Sequence, residues 1–140
     1  MKNQIVISKL DYSRLNSMIL NLLDNKNSNL FDLNRLNMEI KRAKLVEPKK
    51  IKPDYITMNS VIKVVFSESG IARTIRLSYP NDANLKEGAI SVLSPLGCAL
   101  LGYRKGEAVS FKAPGGTQTV IIDKVLYQPE ANGEDLNYQK

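Results

Sequence analysis

The chain has 140 residues, 20 Lys/Arg against 14 Asp/Glu for a net charge of +6, one cysteine and no histidine. This is enough for one domain, or for a small domain with an appendage. It excludes an internal disulfide, Ser-His and Cys-His nucleophile pairs, and zinc held by histidine or by a thiolate cluster. There is no GxxxxGK[ST] or GxGxxG phosphate loop and no apolar run near about eighteen residues, so no membrane span is expected. The first residues, MKNQIVISKL, lack the apolar region and cleavage site of a signal peptide. With the single Cys98, this fits a reducing cytoplasm. No cofactor and no metal site are expected, and Cys98 reads as a small buried hydrophobe.

Ser8 with Asp11 three residues on resembles a capping box. Leu15, Met18, Ile19, Leu22 and Leu23 follow at helical spacing and make one apolar stripe. The run Asp24 to Asn29, DNKNSN, breaks it. A second helix is expected from about Leu30 to Lys44, with Leu33, Leu36, Ile40 and Ala43 as its seam. Two stripes joined by a short polar loop predict an antiparallel hairpin, read either as a short coiled coil projecting from the rest of the chain or as two helices packed on the sheet.

Pro48 and Pro53 frame a basic linker that cannot continue a helix. The expected division is therefore 1–47 helical hairpin, 48–54 linker, 55–130 main domain and 131–140 polar tail. Residues 1–54 hold 11 basic and 6 acidic side chains, concentrated as Lys41, Arg42, Lys44, Lys49, Lys50 and Lys52. Two readings stay open: an electrostatic footprint for nucleic acid or an acidic protein channel, or dipole-favoured lysines followed by a solvated linker.

Beyond Asp54 the period changes. Val61 to Ser67 and Ala72 to Tyr79 read as a hairpin around Glu68-Ser69-Gly70. Pro80 to Gly88 is a polar loop, and Ala89 to Leu93 a strand. Ser94-Pro95 then starts a short helix to Leu101, since serine caps free N–H groups and proline fits the first helical position. Gly102 ends it. Ala108 to Ala113 and Gln118 to Tyr127 are strands around the turn Pro114-Gly115-Gly116. The fold class is α+β: the hairpin, then an antiparallel sheet packed on one short helix.

The strings Thr57-Met58-Asn59-Ser60, Ser91-Val92-Leu93-Ser94-Pro95-Leu96-Gly97, Ala99-Leu100-Leu101-Gly102, Pro114-Gly115-Gly116 and Tyr127-Gln128-Pro129-Glu130 stand in one order. In that order they resemble the C-terminal domain of the GreA/GreB transcription factors, and more closely the Rnk branch. The resemblance runs from about Ile56 to Glu130. It implies an FKBP-like sheet domain that docks on RNA polymerase, at the rim helices of the β′ subunit beside the secondary channel. The implied docking residues are Leu93, Ser94, Pro95 and Leu96. Leu93 departs from the cleavage factors, which place Asp or Asn there.

In the cleavage factors an Asp-x-x-Glu pair at the coiled-coil tip helps hold a second magnesium ion in the polymerase active site. The tip here offers only Asp24 and Asp32, eight positions apart, and neither is assigned to metal. Helices of about fifteen residues span roughly 22 Å, short for this family. The expected function is thus a non-enzymatic, monomeric, cytoplasmic regulator that binds polymerase without stimulating cleavage. Alternatives are an active cleavage factor, a peptidyl-prolyl isomerase suggested by fold analogy alone, and a module with weak non-specific nucleic-acid (DNA) contact.

Overall fold

Ser8 has two roles in the computed structural model, which describes residues 4–25 and 28–133. It closes a short strand, β1 (Val6–Ser8), and caps α1 (Lys9–Leu23) by accepting the Asp11 N–H at 3.0 Å. Leu15 and Ile19 are buried along α1, and Met18 and Leu22 pack beside them, while Leu23 is exposed. Asn29 caps α2 (Leu30–Lys41) by accepting the Asp32 N–H at 3.1 Å. The helices run antiparallel: Lys41, at the end of α2, donates to Tyr12 Oη at 2.8 Å and Asn16 Oδ1 at 3.3 Å near the start of α1.

The second helix stops short of the expected Lys44. Lys44 instead begins β2 (Lys44–Val46), which pairs in parallel with β1. Helical spacing persists through Ala43, but the Lys44 N–H is taken by the Ile5 carbonyl at 2.9 Å. A non-local ladder overrides the local period here.

The main sheet has five strands: β3 (Val61–Phe66), β4 (Ala72–Ser78), β5 (Ala89–Ser91), β6 (Ala108–Ala113) and β7 (Gly116–Tyr127). Their order is β5-β4-β3-β7-β6. The β3/β4, β3/β7 and β6/β7 pairs are antiparallel. The β4/β5 pair is parallel, so the sheet is mixed at one edge, and the purely antiparallel expectation is corrected there. The 79–88 loop carries two short 3-10 turns and reverses the chain a second time before β5. Register shifts at Val61/Ile62 and Lys63/Val64 curl the centre of the sheet.

Alternate residues of one sheet face form the core: Ile62 and Val64, Ile75 and Leu77, Val120 and Ile122. The short helix α3 (Pro95–Leu100) adds Cys98 and Leu100 to it. Leu15, Ile19, Leu33, Leu36 and Ile40 of the hairpin belong to the same buried cluster. The hairpin's stripe is thus continuous with the core of the sheet domain. Its far end, with Leu23, Leu30 and Phe31 exposed, extends beyond the shared core.

The 48–54 segment is also tied down. It contains a 3-10 turn, Pro48–Lys50, and buries Ile51. Residues 134–140 of the expected tail lie outside the described residues, and Asn132 sits in a closing 3-10 turn. Among the described residues no helix is long and apolar enough to cross a membrane.

Candidate functional site

The start of α3 is built from the end of β5. Ser91 Oγ accepts the Leu93 N–H at 3.0 Å. Ser94 Oγ donates to the Ser91 carbonyl at 2.6 Å and accepts the Gly97 N–H at 3.1 Å. One hydroxyl therefore caps the helix and staples it to the strand that feeds it. A Cβ at Gly97 would run into the Ser91 carbonyl oxygen. This explains glycine inside so short a helix, where propensity alone disfavours it.

The far end of α3 meets the base of the hairpin. Gly102 has φ +84°, donates its N–H to the Ile56 carbonyl at 3.0 Å and accepts the Val6 N–H at 3.0 Å. A Cβ there would lie 2.7 Å from Ile5 Cβ. The left-handed turn read from the sequence is therefore also a point of close approach.

The third support comes from α2. Arg35 Nη2 donates to the Leu93 carbonyl at 2.7 Å and to Asp32 Oδ1 at 2.9 Å, with its guanidinium 5.4 Å from the Phe31 ring centroid. No local pattern announces Arg35, because its carbonyl partner lies 58 positions away. Of the four expected docking residues, Leu93 and Leu96 are half-buried and pack against the core, Ser94 is half-buried as the cap, and Pro95 is exposed. Beside Pro95 a groove of about 560 Å³ runs between α2, α3 and β6, lined by Phe31, Arg35, Ala99 and Phe111 among others.

The two tip carboxylates do not meet a common task. Asp24 is the exposed residue that ends α1. Asp32 sits in the first turn of α2, where the helix dipole favours it, and is paired with Arg35. A carboxylate already facing a guanidinium is a poor second ligand for magnesium. Among the described residues no cluster of three His, Cys, Asp or Glu side chains could hold a metal ion.

The basic residues separate into two kinds. Arg42 turns inward, donating to Glu39 Oε1 at 2.9 and 3.1 Å and to Tyr103 Oη at 3.1 Å. The hydrogen bond to Glu39 is the main cause of a pKa above the ordinary arginine value. Lys41, Lys44, Lys49, Lys50 and Lys52 are exposed, and Lys41 also lies over the Tyr12 ring at 5.2 Å. Cys98 is buried within α3.

Residues 50–127 match the family described as transcription elongation factor GreA/GreB, C-terminal, and residues 3–46 match the Rnk N-terminus. The chain is 34% identical over 133 residues to the regulator of nucleoside diphosphate kinase of Escherichia coli K12, across 94% of this chain and 96% of that protein. It is 32% identical over 96 residues to transcription elongation factor GreA of Thermodesulfovibrio yellowstonii, across 69% of this chain and 61% of that protein. A solved GreA/GreB structure from Nitrosomonas europaea shares 34% identity with a TM-score of 0.72, covering 89% of this chain and 100% of that one.

Proposed function

The chain belongs to the GreA/GreB family of transcription elongation factors and carries the Rnk N-terminal segment, and we propose that it docks on RNA polymerase at the secondary channel without stimulating transcript cleavage. It is a transcription regulator related to the Gre factors. The proposed contact is the start of α3, with the exposed Pro95 at its centre, against the rim helices of the polymerase β′ subunit. The observation that carries this is the hydrogen bonding that fastens the start of α3. Ser94 is fastened to Ser91 and Gly97, and the Leu93 carbonyl to Arg35, which supports a step ordered before any partner arrives. Preorganisation of that kind lowers the cost of association.

The same side chains argue against cleavage activity. Asp32 is paired with Arg35, Asp24 closes α1, and the two are not spaced as a metal pair. A helix of 15 residues spans roughly 22 Å, much less than the cleavage factors' coiled coils. The proposed protein is a cytoplasmic monomer that competes for the Gre site. Exposed Lys44, Lys49, Lys50 and Lys52 supply a secondary electrostatic contact with nucleic acid or an acidic channel wall.

The test is a backtracked-complex assay with increasing amounts of this protein. The expected result is no cleavage above the intrinsic rate, together with inhibition of cleavage stimulated by a Gre factor. Stimulated cleavage lost on Asp24→Ala or Asp32→Ala would overturn the proposal and return those carboxylates to a metal role.

A further inference from the structure

The turn Thr57–Ser60 is buried and is gripped from both ends of the chain. From α1, Asp11 Oδ2 accepts the Met58 N–H at 3.1 Å. From the C-terminal segment, Glu130 Oε1 accepts the Thr57 hydroxyl at 2.7 Å. The carboxylate fixes the direction of the neighbouring protons. Thr57 gives its hydroxyl proton to Glu130, so Ser60 Oγ donates to Thr57 Oγ1 at 2.8 Å and accepts the Thr57 N–H at 2.9 Å. Asn59, in the left-handed region at φ +68°, closes the turn and donates its N–H to the Leu77 carbonyl of β4 at 2.6 Å.

The connector leading into this turn is held by the same C-terminal segment. Gln128 Nε2 donates to the Lys52 and Tyr55 carbonyls, each at 2.8 Å, and Gln128 is itself buried. One hydrogen-bonded path thus runs from Glu130 through Thr57 and Met58 to Asp11, in the first turn of α1.

The apolar contacts of the shared core are non-directional, so they fix proximity more than angle; Arg35 and Arg42 tie α2 to either end of α3, and Asp11 ties α1 to the Thr57–Ser60 turn. Hydrogen bonds to buried carboxylates are directional. We propose that Asp11 and Glu130, acting through the Thr57–Ser60 turn, are positioning residues that set the angle of the helical hairpin on the sheet. This rests on the docking reading for its consequence: they aim the hairpin tip when the start of α3 is seated on polymerase.

The experiment places spin labels at Leu30→Cys, at the exposed end of the hairpin, and at Lys86→Cys, exposed on the 79–88 loop, in the full chain carrying Cys98→Ala. Pulsed dipolar spectroscopy reads the distance between them. Glu130→Gln and Thr57→Ser keep an acceptor and a hydroxyl in place, and the wild-type distribution is expected from both. Glu130→Leu and Thr57→Val are expected to displace or broaden it in molecules that circular dichroism shows to be folded. An unchanged distribution in folded Glu130→Leu or Thr57→Val would overturn the proposal, whatever their stability. Should Glu130→Leu fail to fold, Thr57→Val keeps the side-chain shape and carries the comparison.

A second arm uses a cross-linker at Leu30→Cys with core RNA polymerase. The leucine and valine variants are expected to keep polymerase affinity within about twofold and to lose the wild-type tip cross-links. Loss of affinity in step with the cross-links would count against a positioning role. Failure of the unsubstituted protein to bind polymerase would sink the docking reading alone, since the distance in the free protein still decides the positioning claim.

Discussion

The guanidinium of Arg35, midway along α2, donates a 2.7 Å hydrogen bond to the carbonyl of Leu93, the residue just before the α3 cap. The same nitrogen holds Asp32, so an acidic residue in the first turn of α2 is part of the brace beneath the proposed docking step. Arg35→Met keeps the aliphatic stem and removes the donor. The expected cost is about 1–3 kcal/mol, because the Leu93 carbonyl loses a charged partner. Arg35→Lys should recover only part of it, since an ammonium lacks the planar fork. Denaturant unfolding measures the stability, and a polymerase-binding assay should show both variants weakened in the same order.

Gly97→Ala separates helix propensity from packing. Propensity alone favours alanine by about 1 kcal/mol. The new Cβ would meet the Ser91 carbonyl oxygen, which is backbone and cannot step aside. A net destabilisation of about 1–3 kcal/mol is expected. Gly115→Ala, where nothing lies near the added Cβ, is the control and should change the unfolding midpoint little. Equal midpoints for the two variants would refute the stapled geometry of α3.

Pro95 is the exposed member of the proposed docking step. Pro95→Glu places an acid at the first position of α3, where the helix dipole tolerates it. Stability should stay within about 0.5 kcal/mol. Polymerase binding is expected to fall by about tenfold or more, equivalent to roughly 1.4 kcal/mol. A folded variant that binds with unchanged affinity would remove Pro95 from the interface.

A chain starting at Asp54 is expected not to fold cooperatively. By sequence, the Pro-flanked linker and the change of period make that deletion look harmless. In the structure it strips Leu15, Ile19, Leu33, Leu36 and Ile40 from the shared core and leaves the Met58 N–H without Asp11. Burying each such side chain is worth about 1.5–3 kcal/mol. Their sum rivals the whole stability of a small domain, about 5–15 kcal/mol. Circular dichroism and a thermal melt decide it, and a sharp transition in the deletion product would show a self-sufficient sheet domain.

Much of this protein was legible residue by residue. Ser8, Ser94-Pro95 and Gly102 mark helix ends through hydrogen bonds and backbone angles within a few residues. The β6 strand, Ala108–Ala113, follows the boundaries its alternation and flanking turns imply. The α1 and α2 stripes identified Leu15, Ile19, Leu33, Leu36 and Ile40 as buried and paired the two helices, but not their continuity with the core of the sheet domain. What only the tertiary structure decided are the partnerships at long range: β2 taking the end of the second helix, β5 joining β4 in parallel, Arg35 on Leu93, and Asp11 and Glu130 on one turn. Those pairs lie 47, 58 and 73 positions apart in the chain. A carboxylate or guanidinium carries the same capacity for hydrogen bonding wherever it stands. Which backbone group it meets is fixed by how the hairpin, α3 and the sheet pack around the shared core, and no local spacing encodes that.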